Sequence, residues 1–194
     1  MRKALIAIAS LFALTLAADE INIGGDAPAF KLVNAVDSRD VAFKPGDGKL
    51  SVVVFTCNQC PYAKAFEPRL IELAKRYQSK GVAFYAIDSN DDAKYDVETL
   101  QNMKDRAVGQ GYPFPYLKDG DSKVARAYGA RVTPHVFVVD GEGKVTYKGY
   151  VDDSAKPEQR KTTGLTDALN SMMNGRDVAT TSTNAFGCSI KWKS

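Results

Sequence analysis

Cys57 and Cys60, in the run Cys57-Asn58-Gln59-Cys60-Pro61, are the residues of this sequence best suited to chemistry. They follow the apolar stretch 50–55 and precede an amphipathic one, which sets two thiols where a strand ends and a helix begins. Unpaired backbone N–H groups and the helix dipole favour a thiolate there. The thiolate is the nucleophile of thiol–disulfide exchange. Structural zinc needs about four N or S ligands, whereas the chain holds three cysteines, one histidine and no second Cys-x-x-Cys. A disulfide closing so small a loop adds little entropic stabilisation. The pair therefore reads as redox-active.

Other residues could join it. Pro134, in Arg131-Val132-Thr133-Pro134, runs straight into a core strand. It is either the strand's first residue or a cis-proline turn that shapes a neighbouring site. His135, the only histidine, is set near the disulfide by that placement. It either supports a thiolate or shuttles a proton, or it merely covers a strand edge. With Cys57 and Cys60 it would complete a soft S,S,N set suited to copper, a third reading behind the redox ones; no bound metal is expected. Cys188, the odd thiol, lies in a tail with Trp192. Such a tail docks back to resolve a sulfenic acid or mixed disulfide, or it is a loose end with an unpaired thiol. The acidic run 88–92 reads as a solvated turn after a strand rather than a calcium loop.

The elements that must position these groups are legible in outline. Residues 29–33 form a short strand, and turn signals in 37–49 suggest a hairpin. Residues 50–55 lack polar alternation and fit a strand buried on both faces. Ala65, Phe66, Leu70, Leu73, Ala74 and Tyr77 recur at helical spacing up to Gly81, and Pro68 suggests a kink. A second buried strand covers 82–87, a helix follows over 97–108, and 113–117, with two prolines, reads as an irregular or edge strand. A short helix over 124–128, a strand over 136–139, a hairpin into 144–151 and a helix over 165–173 complete the order. This is one α/β domain with helices on both sheet faces.

The 194 residues suffice for one domain with a real core. A net charge of +3, evenly spread, argues against nucleic acid. Arg2-Lys3, the apolar stretch 4–16 and Ala17-Ala18 read as a signal peptide over residues 1–18. About 13 apolar residues are too few to span a bilayer. The expected location is periplasmic or secreted, where disulfides persist.

The sequence resembles the thioredoxin-fold redoxins, in particular the exported peroxiredoxin-like and thioredoxin-like group of the alkyl hydroperoxide reductase/thiol-specific antioxidant superfamily. The resemblance rests on residues 25–32, Phe55-Thr56-Cys57-Asn58-Gln59-Cys60-Pro61-Tyr62-Ala63-Lys64, the turn 88–91, residues 112–116, Tyr128-Gly129-Ala130-Arg131-Val132-Thr133-Pro134 and the tail 187–193. It implies a thioredoxin-like α/β fold: a central mixed β-sheet, helices on both faces and an N-terminal β extension. The redoxin domain would occupy 23–175, and 176–194 would be a flexible linker with a Cys-containing tail. By the same resemblance Pro134 is cis, Thr133 and Pro134 bind substrate, Cys57 attacks and Cys60 resolves.

No organic cofactor is implied. The expected partners are protein disulfide or thiol substrates and a redox partner protein, without nucleic acid or stable membrane insertion. Two departures stand out. Residues 50–56 contain no carboxylate of the kind thioredoxins place before the motif. Peroxiredoxins need Thr or Ser three residues before the peroxidatic Cys, whereas Thr56 lies four before Cys60 and one before Cys57. The Cys60–Pro61 step nonetheless keeps a thiol peroxidase, with peroxide as substrate at Cys60 or Cys57 and Thr56 assisting, as the alternative.

Overall fold

The computed structural model describes residues 20–194, so the signal-peptide reading of 1–18 lies outside the described residues. At the centre is β3 (Ser51–Phe55), buried at every position. It pairs in parallel with β4 (Ala83–Asp88) and antiparallel with β7 (His135–Val139). β5 (Tyr116–Lys118) extends the sheet beyond β4, and β8 (Val145–Gly149) extends it beyond β7. The hairpin β1 (Phe30–Asn34) and β2 (Asp40–Phe43) joins through an antiparallel β1–β5 pairing and is the N-terminal extension. The order among the described residues is β2-β1-β5-β4-β3-β7-β8, a mixed sheet.

Side chains alternate across it. Val52, Val54, Phe84, Ala86, Val136 and Val138 face a core shared with α1 (Pro61–Gln78), α2 (Leu100–Gln110) and α4 (Gly164–Met173). Val53, Phe55, Ile87, Leu117, Phe137 and Val139 face the other core, closed by Ala125 and Tyr128 of α3 (Lys123–Tyr128). One expectation is corrected here. β5 is short but interior, flanked by β1 and β4. Pro113 and Pro115 lie just before it, where their missing N–H groups interrupt no ladder.

α1 carries the site and starts abruptly. Pro61 takes the first position, where its missing N–H costs nothing. The Cys60 side chain caps the helix by accepting the N–H of Ala63 at 3.4 Å. Phe66, Leu70, Leu73, Ala74 and Tyr77 are buried at helical spacing, each large apolar side chain contributing roughly 1.5–3 kcal/mol. Lys75 and Arg76 in the last turn complement the dipole. The helix continues through Pro68, on its exposed face, as one element.

Within the segment 176–184, read as a linker, Thr181, Ser182 and Thr183 run along β8. Lys148 donates its N–H to Thr181 O, and Thr183 donates back to Lys148 O, both at 3.0 Å. The Thr183 hydroxyl also meets Tyr147 Oη at 2.9 Å and accepts the Tyr150 N–H. Gly149, at φ +139°, allows this, because a Cβ there would collide with Thr183 Oγ1. Beyond it, β9 (Cys188–Ser189) pairs antiparallel with β6 (Val132–Thr133). Ile190 is buried, its N–H donating to Arg131 O at 2.9 Å. Polar composition hid both attachments, since backbone N–H and C=O groups set the register of each, with the Thr183 hydroxyl adding to the first.

Candidate active site

The Thr133–Pro134 peptide is cis. It places Thr133 directly against both cysteines. The Cys57 thiol lies 3.3 Å from Thr133 Oγ1, and Cys60 Sγ lies 3.1 Å from the Thr133 carbonyl, to which its S–H donates. All three cysteines are thiols. Cys57 and Cys60 are only 3 % and 1 % exposed. What covers them is the chain itself, because Cys188 packs onto the cluster formed by Cys57, Cys60 and Ala63.

The two thiols have opposite environments. Cys57 is pushed well above the ordinary thiol range by donating to Cys60, by burial and by the negative charge of Glu98. Cys60 is held well below that range, because the hydrogen bond from Cys57 outweighs its burial; Cys188, Thr133 and the Ala63 N–H add to the effect. The helix N-terminus acts in the same direction. On ionisation Cys60 has no proton to offer the Thr133 carbonyl, so those donors hold the anion.

Behind the Cys57–Cys60 loop lies a buried polar network that sequence reasoning missed. Glu98 sits in a 3-10 turn (Asp96–Glu98) ahead of α2 and is fully buried. Its carboxylate accepts the backbone N–H of Asn58 at 2.7 Å and of Gln59 at 3.2 Å, together with Asn90 Nδ2 at 3.1 Å. The Asn58 side chain is fixed between Val97 O and Tyr116 Oη. Lys118 Nζ donates to Asn90 O and Glu98 O and lies 3.7 Å from Asp88. Burial raises the Asp88 carboxyl well above its ordinary range, against the pull of Lys118.

The expectation of a solvated acidic turn is therefore corrected. Asp88, Ser89, Asn90 and Asp91 are all buried, and Asp91 receives Lys193 Nζ at 2.9 Å. The carboxylates that β3 does not supply come instead from the end of β4 and from the 3-10 turn. The partial signal for this was Lys118, a lone cation in an apolar strand that needs an acidic partner.

The remaining predicted residues divide. Thr56 is buried and donates its N–H to Ile87 O. The residue three before Cys60 is Cys57 itself, so no hydroxyl stands there. His135 turns away from the cysteines: its Nε2 lies 3.1 Å from Glu20 Oε1, and its ring packs beside Phe137 at 4.5 Å between centroids. Phe137 belongs to the sheet face opposite α1. The copper set is thus not assembled, and no group of three His, Cys, Asp or Glu suited to a metal occurs among the described residues.

A strand, a cysteine pair whose second member caps a long helix, and a cis-proline whose preceding residue lies against both sulfurs define a thioredoxin-fold redoxin. In agreement, residues 23–148 match the AhpC/TSA family. The chain belongs to that family. It is similar to the thiol-disulfide oxidoreductase ResA of Bacillus thuringiensis, 28% identical over 127 residues, which are 66% of this chain and 69% of the relative. Among solved structures it resembles an uncharacterized conserved protein from Geobacillus kaustophilus, with 39% identity and a TM-score of 0.84 over 90% of this chain and 94% of that one. The thioredoxin domain of a thiol-disulfide oxidoreductase from Bacteroides vulgatus shares the fold, with 20% identity and a TM-score of 0.58 over 68% of this chain and 90% of that one.

Proposed function

We propose that this protein is an exported thiol–disulfide oxidoreductase acting through Cys57 and Cys60. The observation that carries the reading is the placement of the thiol pair at the N-terminus of α1 and against Thr133, the residue before the cis-proline, with Cys60 capping the helix by accepting the Ala63 N–H. The relatives named as thiol-disulfide oxidoreductases support the reaction class. Export is supported by the charge and apolar pattern of residues 1–18.

The resemblance implied Cys57 as the attacking residue; we take Cys60 instead, because its sulfur is the one that accepts an N–H at the N-terminus of α1. The Cys60 thiolate attacks a substrate disulfide, one substrate thiolate leaves, and Cys60 is joined to the other half. Cys57 then gives up its proton and attacks Cys60 Sγ, releasing the second substrate thiolate and closing Cys57–Cys60. Two electrons pass from the pair to the substrate, and a redox partner protein restores them. Thr133 and Pro134 supply the backbone edge against which a substrate chain lies.

Trapping tests this. With Cys188 also replaced by Ser, so that the tail thiol cannot resolve the adduct, Cys57→Ser incubated with a disulfide-bonded peptide is expected to accumulate a mixed disulfide at Cys60, whereas Cys60→Ser in the same background accumulates none. Equal trapping by the two variants, or trapping by Cys60→Ser alone, overturns the assignment.

A further inference from the structure

The backbone edge at Thr133 is already taken. Cys188 stands opposite Thr133 and Ser189 opposite Val132 in an antiparallel ladder. Gly187 makes the approach possible: at φ +152° a Cβ would run into the Thr133 carbonyl. The tail is clamped on both sides. Phe186 packs edge-on against Tyr62 and Phe66 of α1. Asp91 donates its N–H to Lys191 O at 2.7 Å, Asn90 Oδ1 takes the Lys191 N–H at 2.8 Å, and Arg126 lies over the Trp192 ring at 4.6 Å. The docked Cys188 packs onto the cluster formed by Cys57, Cys60 and Ala63, bringing a third thiol to the site.

Resting on the exchange reaction proposed above, we infer that the tail is a tethered substrate mimic, and that Cys188 is a third redox residue that exchanges with the Cys57–Cys60 disulfide. The Cys188 thiolate attacks Cys60 Sγ, the bond between Cys57 and Cys60 breaks, and a bond between Cys60 and Cys188 forms. The electron pair goes to Cys57 Sγ, which takes up the proton Cys188 gave up. One S–S bond replaces another, so no outside oxidant or reductant enters. Cys60 is the target because Cys188 interacts with it directly, while Cys57 faces Thr133 Oγ1. The reduced site discourages the reaction: burial, then the hydrogen bond and charge of Cys60, push the Cys188 thiol up to about 11. Once Cys60 is in a disulfide its charge is gone, and that part of the barrier to ionisation goes with it. The oxidised protein would then hold its tail covalently over its own substrate groove, with Cys57 as the thiol that reopens it.

The test uses the whole chain, oxidised glutathione as the probe, acid quenching and tryptic mapping, since cleavage after Lys49, Lys64, Arg176 and Lys191 separates the two cysteine-bearing peptides. In Cys57→Ser, oxidised glutathione caps Cys60, and Cys188 displaces reduced glutathione. More than half of the chain is expected to carry peptide 50–64 joined to 177–191. Cys188→Ser is expected to stop at glutathione on Cys60 or at the Cys57–Cys60 disulfide. If Cys57→Ser keeps glutathione on Cys60 while Cys188 stays open to alkylation, the tail is not a redox partner and this inference falls alone. If Cys188→Ser takes up no glutathione and forms no Cys57–Cys60 disulfide, the exchange reaction falls, and this inference with it.

Discussion

The carboxylate of Glu98 takes the backbone N–H of Asn58 at 2.7 Å, across 40 residues of sequence, and so fixes the loop between the two cysteines. A fully buried anion with three donors is doing what backbone ladders do elsewhere: satisfying N–H groups that the turn leaves open.

Glu98→Gln should accordingly cost about 2–3 kcal/mol, because charge-assisted bonds to buried N–H groups are lost or weakened. It should also ease the ionisation of Cys57, since a nearby negative charge disappears. The urea midpoint reads the first effect, and the pH profile of Cys57 alkylation in the urea-free protein reads the second. An unchanged profile would show that Glu98 is only structural.

Alkylation of Cys60 should persist under acidic conditions in a chain ending at residue 185. An ordinary thiol, with a pKa of about 8.5, has little thiolate at about pH 6. Cys60 is lowered chiefly by the hydrogen bond from Cys57, so its labelling should fall off well below that pH. Replacing Cys57 with Ala should move the fall-off back toward the ordinary thiol range.

Gly187→Ala places a Cβ on the Thr133 carbonyl and should undock the tail, lifting Ile190 from its buried seat while leaving the sheet and α1 in place. Trp192 is the chain's single tryptophan, so its emission reports docking directly. A red shift and at least about tenfold faster Cys60 labelling are expected, the latter equivalent to shifting docking by about 1.4 kcal/mol. Unchanged emission would mean that the ladder tolerates the methyl group.

Asp88→Asn should flatten one component of the pH dependence of stability. The folded protein raises the Asp88 carboxyl above its ordinary range, chiefly by burial. As pH climbs past about 3.9 the unfolded chain releases this proton first. Stability contributed by the protonated group is therefore present at low pH and lost as pH rises toward the folded value. Urea midpoints between about pH 4 and 8 should fall more steeply in the parent protein than in the variant. The slope, rather than the level, is diagnostic, because the substitution also removes the carboxylate that lies 3.7 Å from Lys118.

Much of the sheet was readable because apolar runs such as 50–55 and 136–139 admit few alternatives, and α1 announced itself through Phe66, Leu70, Leu73 and Tyr77. The thiol pair was readable because its spacing and strand-to-helix setting are local. Three features were not. β5 looked like an edge because Pro113 and Pro115 precede it, yet the ladder needs only Tyr116, Leu117 and Lys118. The acidic turn looked solvated because residue type does not reveal that Lys118 and the tail's Lys193 reach it. The path of 176–190 depends on main-chain hydrogen bonds to Lys148 and Arg131, which side-chain chemistry does not encode.

Thr183 is pinned to β8, and Cys188 lies only five residues further along the chain. So short a leash reaches roughly 17 Å at full stretch, and a tethered group confined to such a volume has an effective concentration on the order of millimolar. A free partner at micromolar levels is therefore outnumbered about a thousandfold at the groove. To win the site, such a partner must bind more tightly than this resident competitor or draw the tail onto its own surface.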